Sequence, residues 1–322
     1  LNRQYSVAKM GGENSSIINE LVLVGFSSLP QTEIPLFFLF SLVYLVNLLG
    51  NTAITSLVVL DPYLQTPMYY FLCHLAFLNI FFSTIVAPKM LFNFLATRKV
   101  ISYNSCLAQT YITLFLESIE CFLLAVMAVD CYVAICYPLC SSVCLALDFA
   151  AWTIGFFASV VPLYFAILPF CGPYVIDYIF CKLPVILHMF WDDTSLQEAL
   201  MMAGGAGTVL LPFFLIILSY VCILVTVMRI DSMEGRKKAF STCTSHLIVV
   251  TIYYGTGQVR YMRPKSLYSA EGDKLISLSY AVIFPMLNPF IYSLRNKEVK
   301  GAVGRVMENL NYFIFTYDHI EG

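Results

Sequence analysis

Of the 322 residues, 59% are hydrophobic and only 12% are charged, where a soluble domain carries about 25% charged residues. This balance excludes an ordinary soluble domain and points to lipid. A net charge of -2 without a clustered basic surface excludes a nucleic-acid partner, because phosphates are neutralised by grouped Lys and Arg.

The chain begins at Leu1, and Met10 reads as a more natural start, so Leu1 to Lys9 is expected to be an extension. Residues 1–33 are expected to form a tail outside the cell, since Asn14-Ser15-Ser16 is the single glycosylation sequon. No basic start, short apolar core and small-residue cleavage site marks a secretory signal, so the first apolar run is expected to direct insertion.

A bilayer core about 30 Å thick needs roughly 20 apolar residues per helix. Seven segments qualify: Ile34 to Leu60, Met68 to Pro88, Cys106 to Cys136, Phe149 to Leu168, Ala199 to Met228, Ala239 to Val259 and Leu275 to Leu294. All but the third lack Asp, Glu, Lys and Arg. The third carries Glu117, Glu120 and Asp130, which are costly in lipid and are expected to face the bundle interior or water. Their spacings of three and ten residues place them roughly along one side of a helix.

Breaks fall at Asp61-Pro62, Thr66-Pro67, Tyr137-Pro138 and from Arg229 to Lys238, all turn chemistry. The longest link, Pro169 to Glu198, has a length that usually carries function. Lys and Arg are as numerous on one side of the spans as on the other, so charge does not set the orientation; the sequon does. No internal repeat relates the two halves, which counts against a transporter.

Eleven cysteines are scattered mostly through apolar runs, where thiols act as small hydrophobes. Cys136, Cys140 and Cys144 recur every four residues, as free thiols or, alternatively, as an acylation site. No pair of the four histidines has metal-ligand spacing, and Gly204, Gly205 and Gly207 lack a phosphate-binding lysine, so neither an enzyme, a metal nor a cofactor is expected. These glycines read as sites of close helix packing.

Four stretches carry a family resemblance. Thr66-Pro67-Met68-Tyr69-Tyr70-Phe71-Leu72 opens the second span, and Met127-Ala128-Val129-Asp130-Cys131-Tyr132-Val133-Ala134-Ile135-Cys136-Tyr137-Pro138-Leu139 closes the third. Lys238-Ala239-Phe240-Ser241-Thr242-Cys243-Thr244-Ser245-His246 opens the sixth, and Pro285-Met286-Leu287-Asn288-Pro289-Phe290-Ile291-Tyr292-Ser293-Leu294-Arg295-Asn296 closes the seventh. With Gly50-Asn51 and the tail Asn14 to Phe26, the chain resembles vertebrate odorant receptors, of the rhodopsin-like G-protein-coupled class, from about Met10 to Gly301.

That resemblance implies an all-α membrane protein. Its seven-transmembrane-helix bundle spans 34–294, and a short cytoplasmic amphipathic helix and tail occupy 295–322. It implies a small volatile ligand held between helices three, five, six and seven, a stimulatory G protein raising cyclic AMP, and a plasma membrane location in sensory cilia. The pocket candidates are Thr113, Leu114, Glu117 and Ser118 on helix three, Thr208 on five, Tyr254, Gln258 and Tyr261 on six, and Ala281 on seven. Each polar member reads equally as an interhelical hydrogen-bonding residue with no ligand. Glu117 favours a ligand amine or hydroxyl if ionised and acts as a donor if neutral.

The resemblance further implies a Cys106 to Cys181 bridge, although spacing alone permits Cys171 as the partner. Coupling is assigned to Asp130, Cys131, Tyr220, Lys237, Lys238, Asn288, Pro289 and Tyr292, and a polar centre to Asn51, Asn79 and Glu120. Pro289 removes a backbone donor inside an apolar helix and kinks it, with polar neighbours able to re-satisfy the freed carbonyl. A static kink and a moving hinge fit the sequence alike; the resemblance implies the hinge.

Three positions depart from the family. Asn79 stands where the family has an aspartate, which argues against a bound cation. Trp191 replaces a loop cysteine and leaves Cys171 odd. Cys131 replaces an arginine that holds its neighbouring aspartate at rest and reaches helix five and the G protein on activation; cysteine has neither the charge nor the reach. Weakened coupling is therefore expected, and a receptor fold that no longer signals is the alternative function, with a transporter behind it.

Overall fold

The computed structural model describes residues 20–26, 30–136, 141–166, 175–183, 186, 195–261, 270–295 and 297–318. Among them run α1 (Pro30–Leu60), α2 (Pro67–Leu95), α3 (Tyr103–Cys136), α4 (Ser141–Ala166), α5 (Ser195–Met228) and α6 (Met233–Tyr261). The seventh run, α7, is built from Ala270–Leu278, a π-helical turn Ser279–Ile283, and Phe284–Arg295. Helix α8 (Lys297–Asp318) follows.

Most of these helices begin several residues before the charge-free windows that announce them. A window free of charge measures the part of a helix that lies in hydrocarbon, whereas the hydrogen-bonded rod continues through the interface, where charged ends reach water. Pro67 starts α2 where its missing N–H is no loss. The Asp61 carboxylate accepts from the Tyr63 amide at 2.9 Å and sets the short helical turn Pro62–Leu64 between α1 and α2.

The distribution of polarity is the reverse of a water-soluble core. Phe38, Leu42 and Leu49 of α1 are 67%, 60% and 62% exposed, while Asn47 and Asn51 on the same helix are 0% and 1% exposed. Amides inside and bare aliphatic groups outside suit a hydrocarbon solvent, where each polar group needs a protein partner. Five of the helices are long and apolar enough to cross a bilayer by length and composition, and α4 contributes a shorter apolar stretch, Leu145–Val160. The chain is a multi-pass membrane protein.

Helix α3 is the axis of the bundle: Leu116, Ile119, Leu123, Leu124 and Ala128 are all at most 2% exposed. It packs against α4 at Gly155, where an added Cβ would stand 2.8 Å from Ile119 Cγ1 and 3.3 Å from its backbone nitrogen. Helix α1 meets α7 in the same manner, an added Cβ at Gly50 standing 3.2 Å from the Pro289 ring. A Gly155→Ala substitution should therefore cost about 1–3 kcal/mol by overpacking. In detergent-solubilised protein the unfolding temperature of the variant should fall, and adding Ile119→Ala should recover part of the loss. An unshifted single variant would show that α3 and α4 do not approach this closely.

At one end of the bundle a three-stranded sheet, in the order β2-β1-β3, ties distant segments together. Strand β1 (Glu20–Leu23) pairs antiparallel with β2 (Val100–Ser102) and parallel with β3 (Val175–Ile176). Gly25, at φ 58, turns the chain after β1 in a conformation that costs a side chain dearly. Buried Lys274 at the head of α7 donates to the Gly25 carbonyl at 2.9 Å and pairs with Asp177. Lys182 and Tyr178 both reach Asp273, at 3.0 and 2.9 Å.

Candidate functional site

Three clusters of polar side chains lie along the bundle axis. The first joins α1, α2 and α7. Asn51 Nδ2 donates to the Asn47 carbonyl at 2.9 Å, to Asn47 Oδ1 at 2.6 Å and to the Pro285 carbonyl at 3.1 Å. Pro285 lies four residues before Pro289, so its carbonyl is the one that the proline leaves without a helical donor. The expected re-satisfaction is supplied by α1, at the place where Gly50 lets the two helices close.

Asn79 completes this centre, donating to Asn51 Oδ1 at 3.2 Å and accepting from Asn288 Nδ2 at 3.3 Å. An amide can do both, whereas the aspartate of the resembling family could only accept. Asn47 also donates to Ser83 Oγ at 2.6 Å. The hydrogen bonds of the centre run through these amides and not through Glu120. That carboxyl lies within electrostatic reach of Glu117, Tyr253 and Tyr280. Among the described residues no group of three His, Cys, Asp or Glu could hold a metal ion.

The second cluster lies nearer the sheet and holds most of the pocket candidates. On α3, Thr113 and Ser118 are buried and Leu114 and Glu117 half-buried. The Thr113 hydroxyl donates to the Thr110 carbonyl at 3.0 Å, and that of Thr208 to Gly204 at 2.9 Å, so both are engaged with their own helices. Tyr254 packs its ring 5.0 Å from Phe213 of α5, and its buried hydroxyl has no hydrogen-bond partner among the described residues; the Cys121 thiol is nearby. Ala281 is fully buried in the π turn of α7.

Tyr253 is the residue that draws α3, α6 and α7 together. Its hydroxyl donates to the Glu117 carbonyl at 3.3 Å and lies 3.2 Å from Cys121 Sγ, and its ring stands 5.7 Å from that of Tyr280. The candidates expected on this helix were Tyr254, Gln258 and Tyr261, and not Tyr253. Counting back from Tyr253 by three and four reaches Val250 and His246, both buried, and that stripe was the available signal. The side chains of Gln258 and Tyr261 lie outside the described residues. A separate groove of about 290 Å³ opens between α6 and α7, lined by Gly255, Thr256, Leu275, Ile276 and Ser279; none of the candidates lines it.

The third cluster lies at the opposite end, around Asp130, which is buried. Cys131 is buried against Ile223 and Val227 of α5 and Cys243 of α6, flanked by Tyr132, Ile135, Tyr220 and Ile230. One turn above, His246 Nε2 stands 3.0 Å from the Leu124 carbonyl and Nδ1 2.6 Å from the Tyr220 hydroxyl. A carbonyl only accepts, so Nε2 carries the proton, and a neutral ring then accepts from Tyr220. This one imidazole joins α3, α5 and α6. The Tyr292 hydroxyl is buried with no hydrogen-bond partner among the described residues.

Helix α8 is anchored at this end. Arg305 donates to Asp61 Oδ2 through Nε at 3.0 Å and a terminal nitrogen at 2.7 Å, and Tyr69 bonds Glu298 at 2.8 Å. Lys237 is exposed at the head of α6; the side chain of Lys238 lies outside the described residues, as do Asn14, Cys140, Cys144 (side chain), Cys171 and Trp191.

Cys106 of α3 and Cys181 form a disulfide, which settles the pairing that spacing left open. Gln109, one turn on, accepts from the Cys181 amide and donates to the Ile85 carbonyl of α2, both at 2.9 Å. The loop is thereby fixed to α2 and α3 at the sheet end.

The architecture is that of the rhodopsin-type receptors: the chain superposes on the crystal structure of squid rhodopsin with a TM-score of 0.64 over 87% of each chain, at 16% identity. A family model described as olfactory receptor matches residues 40–309. Olfactory receptor 10A7 of Homo sapiens is 45% identical over 94% of this chain and 99% of its own length. Olfactory receptor 5G9 of Mus musculus is 43% identical over 95% and 99%. The chain belongs to the olfactory receptor family, and it is a receptor and not an enzyme.

Proposed function

We propose that this receptor binds a small volatile molecule between α3, α5, α6 and α7, and that the binding is read at the Asp130 end by a stimulatory G protein. The observation that carries the reading is Tyr254: a phenol placed between α5 and α3, buried, with no hydrogen-bond partner for its hydroxyl among the described residues. Leaving such a group unbonded is costly, and a guest with an oxygen acceptor relieves that cost. Phe213, Tyr280 and Leu114 supply apolar surface, which fits a site that holds its ligand by shape and one or two polar anchors.

The orientation follows from chemistry. The Cys106–Cys181 bridge belongs on the oxidising side of the membrane, so the sheet end faces outward and the Asp130 end faces the cytoplasm. On this reading the N-terminus and the sequon at Asn14 lie outside, and Lys237, Lys238 and α8 lie at the G-protein side. The receptor resides in the plasma membrane, and the family resemblance favours sensory cilia.

A panel of volatile alcohols, aldehydes, ketones, acids and amines, read by cyclic AMP and by ligand-induced thermal stabilisation, tests the site. Tyr254→Phe should weaken agonists with an acceptor oxygen by about 2–10-fold, the worth of one net hydrogen bond. Glu117→Gln should weaken those bearing an amine or hydroxyl. Agonist potencies unmoved by both changes would remove the pocket from this part of the bundle.

Cys131 favours a second reading, in which ligand binds and coupling is weak. Stabilisation by a volatile without a cyclic AMP response is its signature.

A further inference from the structure

Cys131 and Cys243 stand on different helices, α3 and α6, and meet in one apolar cluster with Ile223 and Val227. Both are free cysteines, 3% and 2% exposed, and their thiols lie within electrostatic reach of each other. The arginine of the resembling family would place a long charged chain at 131; the cysteine places a second sulfur against the first.

We propose that Cys131 and Cys243 are an oxidisable pair that a hydroperoxide joins in a disulfide, pinning the cytoplasmic end of α6 to α3. One thiolate attacks the peroxide oxygen and gives a sulfenic acid, and the O–O bond breaks to release water or an alcohol. The second sulfur then attacks the first and expels hydroxide, which takes up a proton. Two S–H bonds and one O–O bond are exchanged for one S–S bond and two O–H bonds. The two sulfurs together lose two electrons and the peroxide gains them. Once formed, a bridge buried in this cluster is shielded from glutathione-sized reductants, so it outlasts an exposed one in the cytosol. Its consequence for signalling rests on the receptor reading above: α6 tied to α3 cannot swing out to admit a G protein. Formation of the bridge does not rest on that reading.

The sequence offers a clean assay. Of the eleven cysteines, only Cys243 lies beyond residue 232. A site-specific protease sequence inserted between Ile230 and Met233 of the full chain therefore yields two halves that stay together on a non-reducing gel only through Cys243. Membranes treated with hydrogen peroxide, blocked with N-ethylmaleimide and cleaved should give joined halves that dithiothreitol separates. Cys131→Ser should abolish the joining, and Cys136→Ser should leave it. Halves that part after oxidation, or stay joined in Cys131→Ser, overturn the pair; if Cys131→Ser fails to fold, Cys131→Ala serves instead. A joined wild-type receptor whose agonist-driven cyclic AMP response is unchanged overturns the block on signalling, whatever the gel shows.

Discussion

A Cys131→Arg receptor should answer its agonists with a cyclic AMP potency higher on the order of tenfold, the middle of the range that conformational coupling usually spans. Cys131 fills a dry space bounded by Ile223, Val227 and Cys243, and a guanidinium cannot lie there without overpacking. It must lean toward Asp130 at rest or push α6 aside, and both outcomes favour a two-state switch. Arginine also brings planar donors that a cysteine lacks, so Cys131→Lys should recover less than Cys131→Arg. The comparison needs equal amounts of receptor at the cell surface. Equal potency in the three receptors would mean that position 131 does not limit coupling in this chain.

The largest loss should come from Asn51→Leu. Its amide serves Asn47 and the Pro285 carbonyl and accepts from Asn79, so a single isosteric change strands groups on three helices. Each stranded buried group costs about 1–3 kcal/mol, against a total stability of only about 5–15 kcal/mol for a folded domain. The variant should fail to reach the cell surface, while Asn51→Asp, which keeps the acceptor and loses the donor to Pro285, should fall between. Normal surface amounts of Asn51→Leu would show that the kinked helix finds another donor.

Much of this was legible in the sequence because lipid imposes a strict grammar. Apolar runs, six of them free of charge, announced seven helices, and Pro289 pointed to a polar partner for the carbonyl it frees, since such a group in hydrocarbon demands a donor. What the sequence hid was set by packing between distant segments. Strand β1 spans four residues, too few for a period of two to stand out, and its partners are segments made much later. The π turn at Ser279–Ile283 contains neither proline nor glycine to announce it. Tyr253 and Tyr280, which face Glu120 electrostatically, were not foreseen as its neighbours, because helical spacing fixes a face and not which neighbour that face meets. Tyr253 and Tyr254 are adjacent, and only the stripe from buried His246 separates the one that bridges α3 from the one that stacks on Phe213.

The sheet also bears on how the chain is made. Its middle strand is β1, which leaves the ribosome before α1. The β2 edge emerges only after α1 and α2 and the β3 edge after α3 and α4, so β1 must wait with both rows of amides unpaired. Closing so long a span is slow. The Lys274 tether to Gly25 comes from a helix made later still, so the cap is completed only when nearly all of the bundle has been made and gives quality-control machinery a late signature of completion to inspect.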